Sequence, residues 1–228
     1  MDFVIGGELG LKKYRCVIFD LDGTLLNTEE MNIVPLKRLI KEELNQEIAY
    51  EELLKYRAYP GKKALDLLGF IDIEKSYSKW VQYVNDYEFG ASLYHGWDEV
   101  IIKLDEKGIL CGISSSKTRA QYEIDFLKTG LQKYMKGIVL AEDTEKHKPD
   151  PQPLLKAAKI IGAEPSETLY IGDTVVDYQA TKAAGMDFAL AKWGAISSDG
   201  IVADYELDEP LDLLKIFIDI DRTRAEAK

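Results

Sequence analysis

Two acids separated by one residue, Asp20 and Asp22, close the short apolar run Cys16 to Phe19, and Gly23 follows at once. Side chains two apart at a strand end point the same way, so both carboxylates face one spot, and Gly23 lets the chain turn sharply away. Carboxylates that close repel each other unless a cation or a shared proton intervenes. Other polar side chains also follow apolar runs. Ser114, Ser115 and Ser116 follow LCGI, Lys148 lies in KPDPQP, and Asp173 follows TLYIG with Asp177 four residues on. Carboxylates, a hydroxyl and a lysine together suit a magnesium-dependent phosphoryl site. Mg²⁺ takes carboxylate, water and phosphate oxygens, while serine and lysine donate to phosphate. Each feature also has a plainer reading. The acidic pair reads equally as a solvated turn, Ser114 as a strand-end residue and KPDPQP as a loop opening a helix. Asp177 suits the first turn of its helix. An EF-hand is a poor fit, because Leu25 stands where the calcium loop needs glycine.

The run Cys16 to Phe19 lacks polar alternation and reads as a strand buried on both faces. From Glu29 to about Gly90 the texture is helical, with apolar residues three and four apart in MNIVPLKRLIKEELNQ, EELLKY, KKALDLLGF and EKSYSKWVQYVNDYEF. After YHGWDEV, strands and helices alternate: a helix from Trp97 to Lys107 closed by Gly108, the strand ILCGI, a helix from Lys117 to Lys128 and the strand GIVLA. A helix from Leu154 to Ile161, the strand TLYIG and a helix from Val175 to Ala184 follow. DFALA and the weaker VADYEL read as further strands, and LDLLKIFIDI as a last helix. This alternation predicts an α/β fold, a parallel sheet flanked by helices, with an inserted all-helical unit. The core comprises residues 1–28 and 94–228, the helical cap residues 29–93, and residues 1–13 read as a tail or an extra edge strand. Ligands of such sheets bind outside the carboxyl ends of the strands, so Asp20, Asp22, Ser114, Lys148 and Asp173 should converge.

Composition narrows the partners. A chain of 228 residues that is 46% hydrophobic can bury a sizeable core. A formal net charge of −11 argues against nucleic acid or an anionic membrane as partner. An anionic substrate therefore needs local cations. Cys16 and Cys111 sit within apolar runs and read as buried free thiols of a reducing compartment. His95 and His147 have no ligand spacing. No segment approaches membrane-spanning length, and a cytoplasmic protein is expected.

Four motifs in order make the chain resemble the haloacid dehalogenase superfamily: DLDGT at Asp20 to Thr24, Ser114 after an apolar strand, Lys148 in KPDP, and GDTVVD at Gly172 to Asp177. The position of the helical insert is similar to the cap of the phosphoglycolate phosphatase-like branch. The resemblance implies a Rossmann-like core under a mobile helical cap, and a phosphatase acting on a small phosphorylated metabolite such as phosphoglycolate or a sugar phosphate. Asp20 is then the nucleophile and Asp22 the acid and base. Asp20, the Asp22 carbonyl and Asp173 hold Mg²⁺, Asp177 supports that site, and Ser114 (or Ser115) and Lys148 grip the phosphoryl group. A phosphomutase of the same superfamily is the alternative; a non-catalytic phosphate-binding regulatory module fits less well, because its acids and lysine come in another chain order. Within the cap, Tyr59, Pro60 and Gly61 break two helices. Arg57, Tyr59, Lys62 and Lys63 are the specificity candidates, with solvated surface lysines as the competing reading.

Overall fold

The computed structural model describes residues 14–59 and 61–217. The expectations for residues 1–13 and for the end of the last helix lie outside them. Six parallel strands build one sheet in the order β5-β4-β1-β6-β7-β8. They are β1 (Cys16–Phe19), β4 (Leu110–Ser114), β5 (Met135–Val139), β6 (Thr168–Gly172), β7 (Asp187–Ala191) and β8 (Tyr205–Leu207). The central strands are buried throughout because helices cover both faces. Side chains alternate between two apolar layers: Phe19, Ile113 and Trp97 lie in one, Ile18, Leu154 and Phe188 in the other. α7 (Gln152–Ile161) can lie close on β4 and β5 because both offer glycine beneath it. A Cβ on Gly112 would stand 2.3 Å from Ile161, and one on Gly137 2.7 Å from it.

The segment between β1 and β4 departs from the alternation. β2 (Leu26–Asn27) pairs antiparallel with β3 (Ser92–Leu93), so the outgoing and returning chains run side by side. Between them lie α1 (Glu29–Leu44), α2 (Tyr50–Leu53), α3 (Gly61–Leu68) and α4 (Ile73–Asn85). These helices bury an apolar cluster of their own, around Leu36, Leu39, Ile40, Leu53, Leu65 and Phe70. The chain then returns through α5 (Trp97–Glu106), whose Trp97 is fully buried against Phe19.

Several boundaries differ from the sequence reading, each for a local reason. The helix expected from Lys117 is α6 (Arg119–Asp125), because Thr118 caps it in a reciprocal box with Gln121. Lys117 is thereby left in the loop above β4. The strand expected at GIVLA begins two residues earlier, at Met135. EELLKY is α2 followed by a 3₁₀ turn, Leu54–Ala58, rather than one helix. The expected last helix begins with a 3₁₀ turn, Pro210–Asp212, and continues helically over residues 213–217.

Candidate active site

β1 delivers Asp20 and Asp22 to the carboxyl edge of the sheet, where the chain folds back in a tight turn. The Gly23 amide donates to the Leu26 carbonyl there, and the Leu26 and Thr24 amides both donate to the Leu21 carbonyl. Gly23 has φ +75, and a Cβ on it would stand 2.1 Å from an Asp173 carboxylate oxygen, so only glycine lets the turn approach Asp173. The indoles of Trp97 and Trp193 both donate to the Thr24 carbonyl, at 2.8 and 3.0 Å. That clamp fixes the turn from the core side.

β6 brings Asp173, and α8 (Val175–Ala183) brings Asp177 one turn later. Oxygens of Asp20, Asp173 and Asp177 lie within 4.8 Å of one another. Asp177 serves two purposes. One oxygen caps α8 through the Thr174 amide and hydroxyl, and the other accepts a hydrogen bond from Lys148 at 2.6 Å. Asp177 therefore caps the first turn of its helix and reaches the acid–lysine cluster with the same carboxylate. Lys148, its side chain 5% exposed, also stands 3.1 Å from Asp20 and donates to Tyr170 at 2.9 Å. Tyr170 in turn donates to the Ser114 carbonyl at 2.9 Å. Its phenol, buried among these groups, was not found from sequence, because a tyrosine inside an apolar strand carries no signal of its own.

The electrostatics follow from burying like charges together. Burial pushes the Asp20 carboxyl up to about 7, against the pull of the Lys148 ammonium, with Asp177 and Asp22 adding to the rise. Asp173 is raised for the same reasons, burial first and then Asp177 and Asp20. Burial alone would lower Lys148, but Asp177 and Asp20 more than offset it and hold the ammonium. The Asp173 Oδ1 atom is buried with no hydrogen-bond partner. Crowded hard oxygens at raised pKa are the donor set that a divalent cation such as Mg²⁺ fits.

The acidic pair does not share one cation. Asp20 stands beside Lys148, whereas Asp22 stands 3.1 Å from the ammonium of Lys117. Lys117 lies in the serine run, where its position next to a helix start gave no reason to single it out. Ser114 is fully buried with an unpartnered hydroxyl, and Ser115 accepts from the Lys117 amide at 3.3 Å. Ser115 and Ser116 line the cavity and Ser114 does not.

That cavity, of about 610 Å³, lies between the sheet edge and the helical insert. Asp20, Lys148 and Asp173 line one side, and Arg57, Tyr59 and Trp80 line the other. Arg57 is ion-paired with Glu29, which also accepts from Tyr50. Lys62 and Lys63 are not brought to the cavity; they are exposed and paired with Glu74 and Asp66. A lysine at the start of a helix is better placed facing solvent and nearby acids, which is the surface reading.

Residues 17–191 match the family model described as haloacid dehalogenase-like hydrolase. The chain belongs to that family. The resemblance and the hydrolase class expected from the four motifs are borne out by this membership. The chain is 30% identical over 225 residues to a candidate pyrophosphatase, PpaX, of Caldanaerobacter subterraneus subsp. tengcongensis, covering 94% of this chain and 99% of the relative. It is 29% identical over 218 residues to pyrophosphatase PpaX of Bacillus cereus, covering 92% and 100%. Among solved structures, a Lactobacillus plantarum protein described as a candidate phosphoglycolate phosphatase superposes with a TM-score of 0.78 at 26% identity, covering 90% of this chain and 99% of that one. Among the described residues no helix is long and apolar enough to cross a membrane.

Proposed function

We propose that this family member is a magnesium-dependent phosphatase that cleaves a small phosphate ester or pyrophosphate through an aspartyl-phosphate. The observation that carries the reading is Asp20 at the strand end, 3.1 Å from a buried lysine and beside the unpartnered Asp173 oxygen, in a cavity that the helical insert lines on its other side. The carboxylate oxygens of Asp20 and Asp173 and the Asp22 carbonyl would hold Mg²⁺, with Asp177 as support. Bound there, the ion would supply positive charge to the phosphoryl oxygens. In the first half-reaction the Asp20 carboxylate attacks phosphorus in line. The bond to the leaving oxygen breaks, and protonated Asp22 gives that oxygen its proton. In the second, Asp22 takes a proton from water, the water oxygen attacks the aspartyl-phosphate, and phosphate leaves with Asp20 regenerated. Lys148 and a hydroxyl of the serine run, that of cavity-lining Ser115 rather than the fully buried Ser114, would hold the phosphoryl oxygens where charge builds up. The names of relatives over nearly the full chain support pyrophosphate or a small carboxylated phosphate ester as substrate, and Arg57 and Tyr59 line the same cavity as Asp20.

A screen of phosphate esters and pyrophosphate with and without Mg²⁺ tests the reading. Stoichiometric phosphate release that EDTA abolishes is the expected result. Isomer formation without net phosphate, dependent on a bisphosphate primer, would establish the phosphomutase instead.

A further inference from the structure

Lys117 is a buried cation that the phosphoryl-transfer reading does not use. Its side chain is 6% exposed, with Nζ 2.6 Å from Asp125 and 3.1 Å from Asp22. Its backbone is tied at both ends: the amide donates to Ser115 Oγ, and the carbonyl accepts from Ala141. Asp125, on α6, has a side chain only 2% exposed and turns one oxygen to Lys117. Lys117 and Asp125 are held together out of water, which is costly, and a buried pair of this kind is weak as a device for stability alone. Asp22 differs from its neighbours. Its side chain is 46% exposed toward the cavity, while its Oδ1 atom is buried against Lys117. The open surface is therefore on the rest of the side chain.

We propose that Lys117, anchored by Asp125, is a positioning residue that holds Asp22 by Oδ1 and leaves its second oxygen toward the leaving group. The inference rests on the phosphatase reading and gives a role to Lys117, which ends the serine run of the second motif. A half-exposed carboxylate has several rotamers open to it, whereas proton transfer needs one oxygen within hydrogen-bond reach of the leaving atom. Lys117 removes that freedom from the core side, so the acid is set before substrate arrives. Burial works against the charge of Lys117, but Asp22 and Asp125 outweigh it and keep the ammonium.

Because Lys117→Met alone strands a buried Asp125, the test uses Lys117→Met with Asp125→Leu, which removes the pair as a unit. Three esters without a second charge separate positioning from contact with substrate: p-nitrophenyl, phenyl and ethyl phosphate. The double variant should lose about 100-fold in kcat for ethyl phosphate, the size of a general-acid contribution. It should lose less than about 5-fold for p-nitrophenyl phosphate, whose leaving group needs little protonation. Asp22→Ala should show the same selectivity, and adding it to the double variant should cost nothing further. Equal losses on all three esters, a KM rise with kcat intact, or additive losses would overturn the proposal. Should the wild type hydrolyse none of these three, the phosphatase reading fails only if the wider screen with pyrophosphate also releases no phosphate. The positioning is then decided by a crystal structure of the double variant, where Asp22 must leave its present orientation; an unmoved Asp22 overturns it.

Discussion

Asp20 and Lys148 stand 3.1 Å apart, and each makes the other tolerable: the ammonium restrains a carboxyl that burial drives upward, and the carboxylates of Asp20 and Asp177 hold the ammonium charged. Two predictions belong to this pair. Asp20→Asn keeps the shape but not the nucleophile, so the rate of phosphate release should fall by at least about 10⁴-fold. Circular dichroism should be unchanged, and full activity in this variant would end the covalent mechanism. Lys148→Met removes the cation from between two buried acids and should cost about 3 kcal/mol of stability without metal. Mg²⁺ should restore part of it by binding the same carboxylates. A thermal-melt series against Mg²⁺ concentration reads both, and a variant as stable as wild type in EDTA would show that Lys148 does not offset those charges.

At the scale of elements, the helical insert has an ion-pair seam as well as an apolar cluster. Glu42 on α1 accepts from Arg38 at 2.8 Å and from Tyr83 of α4 at 2.6 Å, and Lys79 stands 3.0 Å away. Those partners, Tyr83 first and then Arg38 and Lys79, pull its carboxyl down to about 2 from an ordinary 4.5. A carboxyl lowered on folding adds stability that is complete above its unfolded pKa and is lost as pH falls toward the folded one. Glu42→Gln should therefore lower the melting temperature slightly at pH 6, and the difference should vanish near pH 2. A difference that persists at pH 2 would mean that the glutamate acts through packing rather than charge. The seam lies on exposed side chains, so high salt should also shrink the effect.

For the whole molecule, the relation of helical insert to core is the open mechanical element. The chain crosses between them beside the two-residue ladder of β2 and β3, and the two parts enclose one cavity. Adjacent connections of this kind permit hinge motion. We expect residues 29–93 to close as a body over Asp20 when beryllium fluoride and Mg²⁺ mimic the aspartyl-phosphate, excluding water from attack and readmitting it for hydrolysis. Small-angle scattering should show a smaller radius of gyration, and hydrogen exchange should slow around Arg57 and Tyr59. Unchanged scattering, with exchange altered only next to Asp20, would count against a moving lid. The Thr24 carbonyl, clamped by two tryptophans, ties the turn that precedes β2 to the core.

The alternation of apolar runs with helical stretches determined the parallel sheet, because strands buried on both faces need no polar residues and advertise themselves as runs. The ends of those runs likewise located Asp20, Asp22 and Asp173 at one edge, and Lys148 reached it from the polar loop after β5. Side chains whose roles come from partners distant in the chain were not legible. Lys117 looks like an ordinary residue before a helix until folding sets Asp125 and Asp22 against its ammonium. Tyr170 looks like one more apolar strand residue until its hydroxyl meets Lys148 and the Ser114 carbonyl. Lys62 and Lys63 carry a local charge signal of equal strength, yet the roll of α3 turns them to Glu74 and Asp66. Local pattern determines which elements form and where they end; the direction a charged side chain takes depends on which opposite charges the packed elements bring within a few ångströms, and only the tertiary structure decided that.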